Sequence, residues 1–302
     1  MIYRNFEQLI ETVRAKSKKK RTVAVVAAQD GHTLEAVVKA AAKDEVIEPL
    51  LVGDKEAIEK LLTAMGERPA NYEVIHAATA EDAAVGALKL VNGGRADFLM
   101  KGLIPTAGLM KVLFSDNQFR VGSLLSHLSI IHIPNYHKLV GLTDVALNIC
   151  PDLNQKRAIV ENAVTTMARM GFDPPKVAIL AASDEVSAKM PETTDAAELK
   201  KLNAAGELPG CLVEGPLSYD LAFSKEAAAI KGHKSPVCGE VDLLVVPNIS
   251  AGNILIKALR YAAGASSAGI VVGGRVPIVL TSRAAETEAK LLPLILAASA
   301  TL

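Results

Sequence analysis

Residues that could bind an anionic substrate stand together at two places in the first half of the chain. Lys101 and Gly102 directly follow an apolar run, and Arg120, Ser126 and His127 lie within the eight residues of RVGSLLSH. A lysine supplies a point charge, an arginine supplies a planar fork of donors, and a glycine lets the backbone approach a ligand closely. These groups suit a phosphate. A surface turn with an exposed lysine and an ordinary packed histidine explain the same residues without a ligand.

Two polar turns in the second half could serve the same chemistry. The turn PNISAGN could open a helix capped by Asn248, Ser250 or Asn253, with its first amides facing an anion, although capping alone explains it nearly as well. In VLTSR, Ser282 is expected to cap the last helix, which puts Arg283 in its first turn. A positive charge there is unfavourable for the helix dipole, so a functional role of Arg283 is favoured.

Short apolar runs alternate with alanine-rich segments along the whole chain. Runs such as 22–28, 98–100 and 241–246 are apolar at successive positions, which is typical of strands covered on both faces. Segments such as 81–91 and 158–170 have the length and composition of helices. The alternation predicts an open, doubly wound α/β fold, in which ligands bind beyond the carboxyl ends of the strands.

Composition and motifs exclude several classes of protein. Lys plus Arg and Asp plus Glu both number 33, so no bulk field attracts nucleic acid or an anionic membrane. The three cysteines form no CxxC pair, and GxGxxG, GxxxxGK[ST] and GxSxG are missing from the sequence. No signal peptide and no membrane span are expected, and the interpretation is a cytoplasmic protein without a metal site.

Taken together, six segments resemble the phosphate acetyltransferase and phosphate butyryltransferase family. They are MKGL at 100–103, RVGSLLSH at 120–127, LTDVALNICPDL at 142–153, EGPLSYDLA at 214–222, SPVCGEVDLLVVPNISAGNILIK at 235–257 and VLTSRA at 279–284. The phrases LTDVALNICP and KMPETTDAAEL look more like the butyryl branch, and the short length points the same way.

The resemblance implies a fold, a reaction and an assembly. The fold is two doubly wound α/β/α domains with a cleft between them, one of residues 1–133 and 273–302 and the other of residues 134–272. The reaction is reversible acyl transfer between coenzyme A and inorganic phosphate, by direct attack in a ternary complex, with butyryl or branched chains preferred. Coenzyme A is then a substrate, no cofactor is bound permanently, and the protein is a homodimer or a larger homo-oligomer.

The resemblance also implies roles for the candidate residues. Arg283 and Arg120 suit the phosphate and the charge that develops in the reaction, and Ser282 and Ser126 suit hydrogen bonds to the same oxygens. The other residues expected to bind phosphate or coenzyme A are Lys101, Gly102, His127, Asn253 and Lys257.

One departure concerns the general base. Acetyl-type members of the family carry an aspartate seven residues after the serine of the Ser-Arg pair, where this chain has Ala289. Glu286 and Glu288 are nearby, and they project about 200° apart on a helix. Glu288 is closest to the vacant position and is the candidate base. Alternatively, both glutamates are solvated, or Arg283 and His127 favour the thiolate by their positive field.

Two other functions stay open from the sequence. A metal- and NAD-dependent hydroxy-acid dehydrogenase of related fold needs clustered ligands, whereas Asp144, Asp220 and Asp242 are scattered. A protein that binds coenzyme A or acyl phosphate without turnover is compatible with the missing aspartate.

Overall fold

The chain forms two compact units. The computed structural model describes residues 1–16, 19–44, 46–122, 124–280 and 287–301. Leu9–Ser123 and Ala268–Leu302 form one unit, here called the terminal unit, and Met1–Gln8 with Leu124–Ser267 form the central unit. The first residues join the central unit because Leu139 donates its N–H to the carbonyl of Tyr3 at 2.7 Å, while the Tyr3 hydroxyl donates to the carbonyl of Met170 at 2.9 Å.

Strands and helices alternate along most of the chain, as the apolar runs and alanine-rich segments predict. The strands are β1 Arg21–Val26, β2 Ile47–Gly53, β3 Glu73–His76, β4 Phe98–Lys101, β5 Ser126–His132, β6 Val140–Thr143, β7 Lys176–Leu180, β8 Leu212–Leu217, β9 Leu243–Val245, β10 Ser266–Val272 and β11 Ile278–Val279. The helices are α1 Phe6–Lys16, α2 Gly31–Asp44, α3 Lys55–Ala64, α4 Ala80–Asn92, α5 Thr106–Ser115, α6 Leu153–Arg169, α7 Pro191–Ala204, α8 Tyr219–Phe223, α9 Lys225–Ile230, α10 Ile249–Ala262 and α11 Thr287–Ser299.

The terminal unit is doubly wound. Its strand order is β3-β2-β1-β4-β11-β10, and only the pairing of β11 with β10 is antiparallel. The chain steps from β1 outward to β3 through α2 and α3, then returns through α4 to β4 on the other side of β1. Since such crossovers are right-handed, α2 and α4 cover opposite faces. The direction reverses between β1 and β4, which is where open α/β sheets bind ligands.

Within the central unit the strands are ordered β5-β6-β9-β7-β8. β5 is antiparallel to β6, and the remaining pairs are parallel. Thr143 pairs with Val245, so β6 and β9 end side by side. Aliphatic side chains such as Val140, Leu142 and Leu244 fill the core. This arrangement confirms the expected α/β fold and brings the loops after β6 and β9 to one edge of the sheet.

Candidate active site

Lys101 and Gly102 lie at the switch point of the terminal unit. Lys101 is the last residue of β4 and pairs with Val26 at the end of β1. Its side chain is only 6% exposed, and its Nζ donates to the carbonyl of Gly102 at 3.2 Å. The alternative of an exposed lysine in a surface turn is therefore wrong, because β4 extends one residue further than the apolar run and carries Lys101 into the interior.

Gly102 allows the backbone after β4 to lie close to the backbone at the end of β1. A Cβ at this position would lie 2.4 Å from the carbonyl oxygen of Ala27 and 2.7 Å from that of Val26. The Gly102 N–H donates to Val26 at 2.8 Å, and the Leu103 N–H donates to Ala27 at 2.8 Å. The glycine therefore has a packing requirement of its own, separate from any approach to a ligand.

A partly buried carboxylate, that of Asp30, follows β1 at the same edge. Asp30 accepts hydrogen bonds from the backbone and hydroxyl of Thr33, and Lys290 of α11 contacts both, at 3.5 Å from the carboxylate and 3.2 Å from the hydroxyl. Burial tends to raise the pKa of Asp30, but its hydrogen bond with Thr33 and the charge of Lys290 hold that pKa below its usual value. Gln29 Oε1 beside them is buried without a partner among the residues described.

Arg120 stands in a loop with several hydrogen bonds. The side chain of Asp116 accepts from the backbone of Gln118 at 2.6 Å and of Phe119 at 3.0 Å, and Arg275 donates its N–H to Phe119 at 2.9 Å. The Arg120 side chain is exposed, and its guanidinium donates to Asn117. The loop is thus held by its neighbours while the cation reaches solvent.

In the sequence, Ser282 and Arg283 precede this unit's last helix, and Glu288 lies within it. Ser282, Arg283 and Glu286 lie outside the residues described, and so the predicted cap at Ser282 is not tested. The last strand, β11, pairs with β4 at the same edge as Lys101, and the chain continues from there into the segment with Ser282 and Arg283. Glu288 is the second residue of α11.

In the central unit, Ser126 and His127 begin β5. The Ser126 hydroxyl is fully buried and accepts a hydrogen bond from Asn162 Nδ2 at 3.1 Å. The His127 N–H donates to the carboxylate of Asp144 at 3.0 Å, while its Nδ1 is buried without a partner among the described residues. The hydroxyl of Thr143, at the end of β6, is likewise buried without a hydrogen-bond partner among the described residues.

The charge of His127 follows from this environment. Burial lowers the pKa of its imidazole, and the nearby carboxylate of Asp144 only partly opposes that effect. The imidazole is therefore neutral around pH 7. A neutral ring can form hydrogen bonds, but it does not supply the positive field that one of the sequence-based alternatives requires of His127.

The turn after β9 opens α10 toward the loop after β6. Asn248 is the cap, since its side chain accepts from the Ala251 N–H at 3.0 Å, so Asn253 lies inside the helix. Asn253 Nδ2 donates to the carbonyl of Val145 at 3.3 Å. Lys257 follows one turn later on the same side of the helix and is exposed.

The fold thus collects the predicted residues in two groups. Lys101 and Gly102 lie where β1 and β4 end, whereas His127 and Asn253 bond to the loop after β6 and Ser126 bonds to Asn162 of α6. Three of the five buried side-chain polar atoms without a partner in the described ranges stand at these two strand edges. Since such atoms are rare in proteins, they mark both edges as places for a ligand or ordered water.

The sequence interpretation missed several polar residues beside these groups. They are Asp30, Asp144, Asn148, Asn162 and Lys290. Asp144 and Asn148 belong to the LTDVALN segment that carried part of the resemblance, but their hydrogen bonds reach residues about twenty positions away, and no local pattern shows them. Within the described ranges no three His, Cys, Asp or Glu residues are grouped as metal ligands, and no helix is long and apolar enough to cross a bilayer.

The fold and these two groups define an α/β protein with candidate anion sites at the ends of parallel strands. Comparison with known proteins identifies the family within this broad class of α/β proteins. A family model described as phosphate acetyl/butaryl transferase matches residues 54–298. The chain belongs to that family, as the sequence predicted.

Individual relatives span almost the whole chain. A phosphate butyryltransferase of Clostridium acetobutylicum is 39% identical over 98% of this chain and 97% of its own length. A phosphate acetyltransferase of Thermotoga maritima is 40% identical over 97% of this chain and 98% of its own length. The crystal structure of a branched-chain phosphotransacylase from Enterococcus faecalis V583 superposes with a TM-score of 0.81 at 33% identity, covering 93% of this chain and 99% of that one.

Proposed function

We propose that this protein transfers a short acyl group, reversibly, between coenzyme A and inorganic phosphate. Membership of the phosphate acetyl/butaryl transferase family, over most of the chain, is the observation that carries the proposal. Relatives named for this chemistry match at about 40% identity along nearly the full length. The metal- and NAD-dependent dehydrogenase is not favoured by any of these relatives.

The reaction sets three requirements for the protein. In one direction the thiolate of coenzyme A attacks the carbonyl carbon of an acyl phosphate, a carbon–sulfur bond forms, and the carbon–oxygen bond breaks as phosphate leaves with its electron pair. We propose that this attack is direct, within a ternary complex. The site must then hold two anionic ligands, favour the thiolate and stabilise the oxyanion of the tetrahedral intermediate.

We propose that the predicted cationic side chains bind the anionic groups of phosphate and coenzyme A. Arg120 is exposed on a loop held by its own hydrogen bonds, which favours a role in attracting and orienting phosphate or coenzyme A. Arg283 and Ser282 would stabilise the oxyanion. Lys101 is buried beside the switch point, so it would act on a ligand through its charge at that strand edge.

The central-unit residues suit orientation rather than charge. Ser126 Oγ already accepts from Asn162, which leaves its hydroxyl proton free to be donated. His127 would form neutral hydrogen bonds, and Asn253 and Lys257 would contact coenzyme A along α10. With His127 neutral, Arg283 is left as the source of a positive field, and Glu288 as the proposed base.

Acyl-chain selectivity is the finer part of the proposal. We propose a preference for butyryl or branched chains, supported by the butyryl-like segments and by the resemblance to a branched-chain phosphotransacylase. Relatives named for acetyl and for butyryl transfer are equally similar, so their names do not decide between the chains. One methylene is worth about 1–3 kcal/mol of discrimination. Phosphate-dependent release of thiol from acetyl-, butyryl- and branched five-carbon acyl-CoA tests this preference. A kcat/KM for acetyl-CoA equal to that for the other two would contradict the preference.

We also propose a cytoplasmic homodimer or larger homo-oligomer without a resident cofactor. Ile254 and Tyr261 of α10 are 68% and 87% exposed, and their spacing of seven puts them on one side of the helix. Exposed apolar side chains on one helix side support a contact between copies. Sedimentation of the wild-type protein and of Tyr261→Glu tests this, since only the substituted protein is expected to shift toward the monomer.

A further inference from the structure

The segment that carries Ser126 and His127 is held by three side chains from two neighbouring elements. Asn162 of α6 donates to the carbonyl of Leu124 at 2.9 Å and to the Ser126 hydroxyl at 3.1 Å. Asn148 donates to the carbonyl of Leu125 at 3.0 Å. Asp144 accepts the His127 N–H at 3.0 Å. Each residue of 124–127 is therefore fixed by at least one hydrogen bond from a side chain.

Asp144 accepts four hydrogen bonds in this arrangement. Its Oδ1 accepts from the N–H groups of Ala146 and Leu147 at 2.8 and 2.9 Å, and its Oδ2 accepts from His127 and from Asn148 Nδ2, the latter at 2.6 Å. The residue is 3% exposed, and no cation pairs with it in the part of the chain that the structure describes. A buried carboxylate without a cation is costly unless hydrogen bonds replace its water.

The chemistry of the four donors explains why this position holds an acid. All four donors are N–H groups, and a carboxylate has two oxygens that only accept. An asparagine has one oxygen and one NH₂ group. In either orientation its NH₂ would face two N–H donors, so at least two of the four hydrogen bonds would be lost.

We propose that Asp144 is a positioning residue of the acyl-transfer site. It holds the backbone of His127 directly and, through Asn148, that of Leu125, and so helps to set where Ser126 and His127 present their side chains. It also places a negative charge near the imidazole of His127, which partly opposes the lowering of the imidazole pKa by burial. This inference rests on the proposed function, because the site it serves is the one assigned to coenzyme A and phosphate.

The same unit offers a matched control. Asp242, before β9, accepts from the Lys138 ammonium at 2.6 Å and from the Lys176 N–H at 2.9 Å. It stands at the amino ends of β7 and β9, at the edge opposite to Asp144. Asp242→Asn should therefore lower stability without moving residues 124–127.

The test compares Asp144→Asn with Asp242→Asn in the full-length protein. We expect both to lower Tm, but only Asp144→Asn to lower kcat, by about tenfold or more, because small displacements of positioned groups are costly in rate. NMR titration of the six histidines, with His127→Gln to assign the signal, should show a lower pKa of His127 in Asp144→Asn and no change in Asp242→Asn. A similar loss of kcat in both variants, or in neither, would overturn the proposal.

A second variant and a measurement independent of activity allow the proposal to be tested if the first comparison fails. If Asp144→Asn does not fold, Asn148→Ala removes only the bonds to Leu125 and Asp144, and a kcat within about twofold of the wild type would then count against the proposal. If the wild-type protein has no acyl transfer, the proposed function fails, and the histidine titration then tests the geometry alone. An unchanged His127 pKa in Asp144→Asn overturns the placement of Asp144 beside His127, and a selective shift of that pKa supports it.

Discussion

Replacing Gly102 by alanine should destabilise the terminal unit even without a ligand. The added Cβ would lie 2.4 Å from the Ala27 oxygen and 2.7 Å from the Val26 oxygen, and both contacts are with backbone. Ordinary contact begins at 3.4 Å, so β1 and β4 must separate by as much as about 1 Å. The two hydrogen bonds that cross here, each 2.8 Å, would lengthen with them.

The cost follows from these two effects. Overpacking of this kind costs about 1–3 kcal/mol, and each of the two lengthened hydrogen bonds adds about 0.5 kcal/mol, so we expect a loss of about 2–4 kcal/mol. For a unit of this size that corresponds to a decrease in Tm of roughly 5–15 °C.

Gly31→Ala is the matched control. Gly31 also follows a strand of this sheet and begins α2, but a Cβ there meets nothing within 4 Å. Alanine favours a helix over glycine by up to about 1 kcal/mol, so this variant should be as stable as the wild type or slightly more. Thermal unfolding by circular dichroism, without and with coenzyme A, measures both. Gly102→Ala with the Tm of Gly31→Ala, and weakened only in its affinity for coenzyme A, would refute the packing argument and assign the glycine to the ligand.

Three further predictions concern the last helix and the residues before it. Asp30→Asn should cost about 1–3 kcal/mol of unfolding free energy at pH 7, because it leaves the Lys290 ammonium buried, whereas Lys290→Met should stay within about 1 kcal/mol. Equal denaturation midpoints for Asp30→Asn and Lys290→Met at pH 7 would contradict this difference. Since the pKa of Asp30 is lowered in the folded state, the carboxylate's contribution to stability is present above the usual pKa of 3.8 and disappears as the pH falls through the folded pKa. Arg283→Ala should lower kcat by about 100-fold or more, as loss of a preorganised charge-stabilising group does, and near-normal turnover would make Arg283 structural. Glu288→Gln should lower kcat by about tenfold, with recovery from pH 6 to 9 as solvent makes more thiolate, while Glu286→Gln should not; flat profiles at the wild-type rate in both would remove a carboxylate base from the mechanism.

The sequence predicted the strands that are apolar at successive positions and missed the others. β1, β4 and β9 were identified within a few residues because both of their faces are buried. β5 was missed because its serines and histidines interrupt the apolar run, although most of the strand is buried. The alanine-rich segment 222–231, which the sequence predicts as a single helix, contains the end of α8 and the whole of α9, because Ser224 between them adopts an extended conformation and caps α9.

The site was predictable only where the chain order defines it. A lysine and a glycine after an apolar strand had to stand at the ligand edge of a parallel sheet, but the burial of Lys101 depends on β1 as its neighbour. The ion pair of Lys290 with Asp30 joins residues 260 positions apart, and the bonds of Asp144 to residues near 127 depend on the pairing of β5 with β6. Such contacts follow from the tertiary fold, and single-sequence periodicity does not contain them.

The most direct test of the proposed function is the reaction itself. Wild-type protein is incubated with butyryl-CoA, with and without inorganic phosphate, while released thiol is followed by absorbance and acyl phosphate is trapped with hydroxylamine. We predict that thiol release requires phosphate and that acyl phosphate forms in equal amount. Thiol release that does not depend on phosphate, or none with butyryl-, acetyl- or branched acyl-CoA despite binding of coenzyme A, would contradict acyl transfer to phosphate.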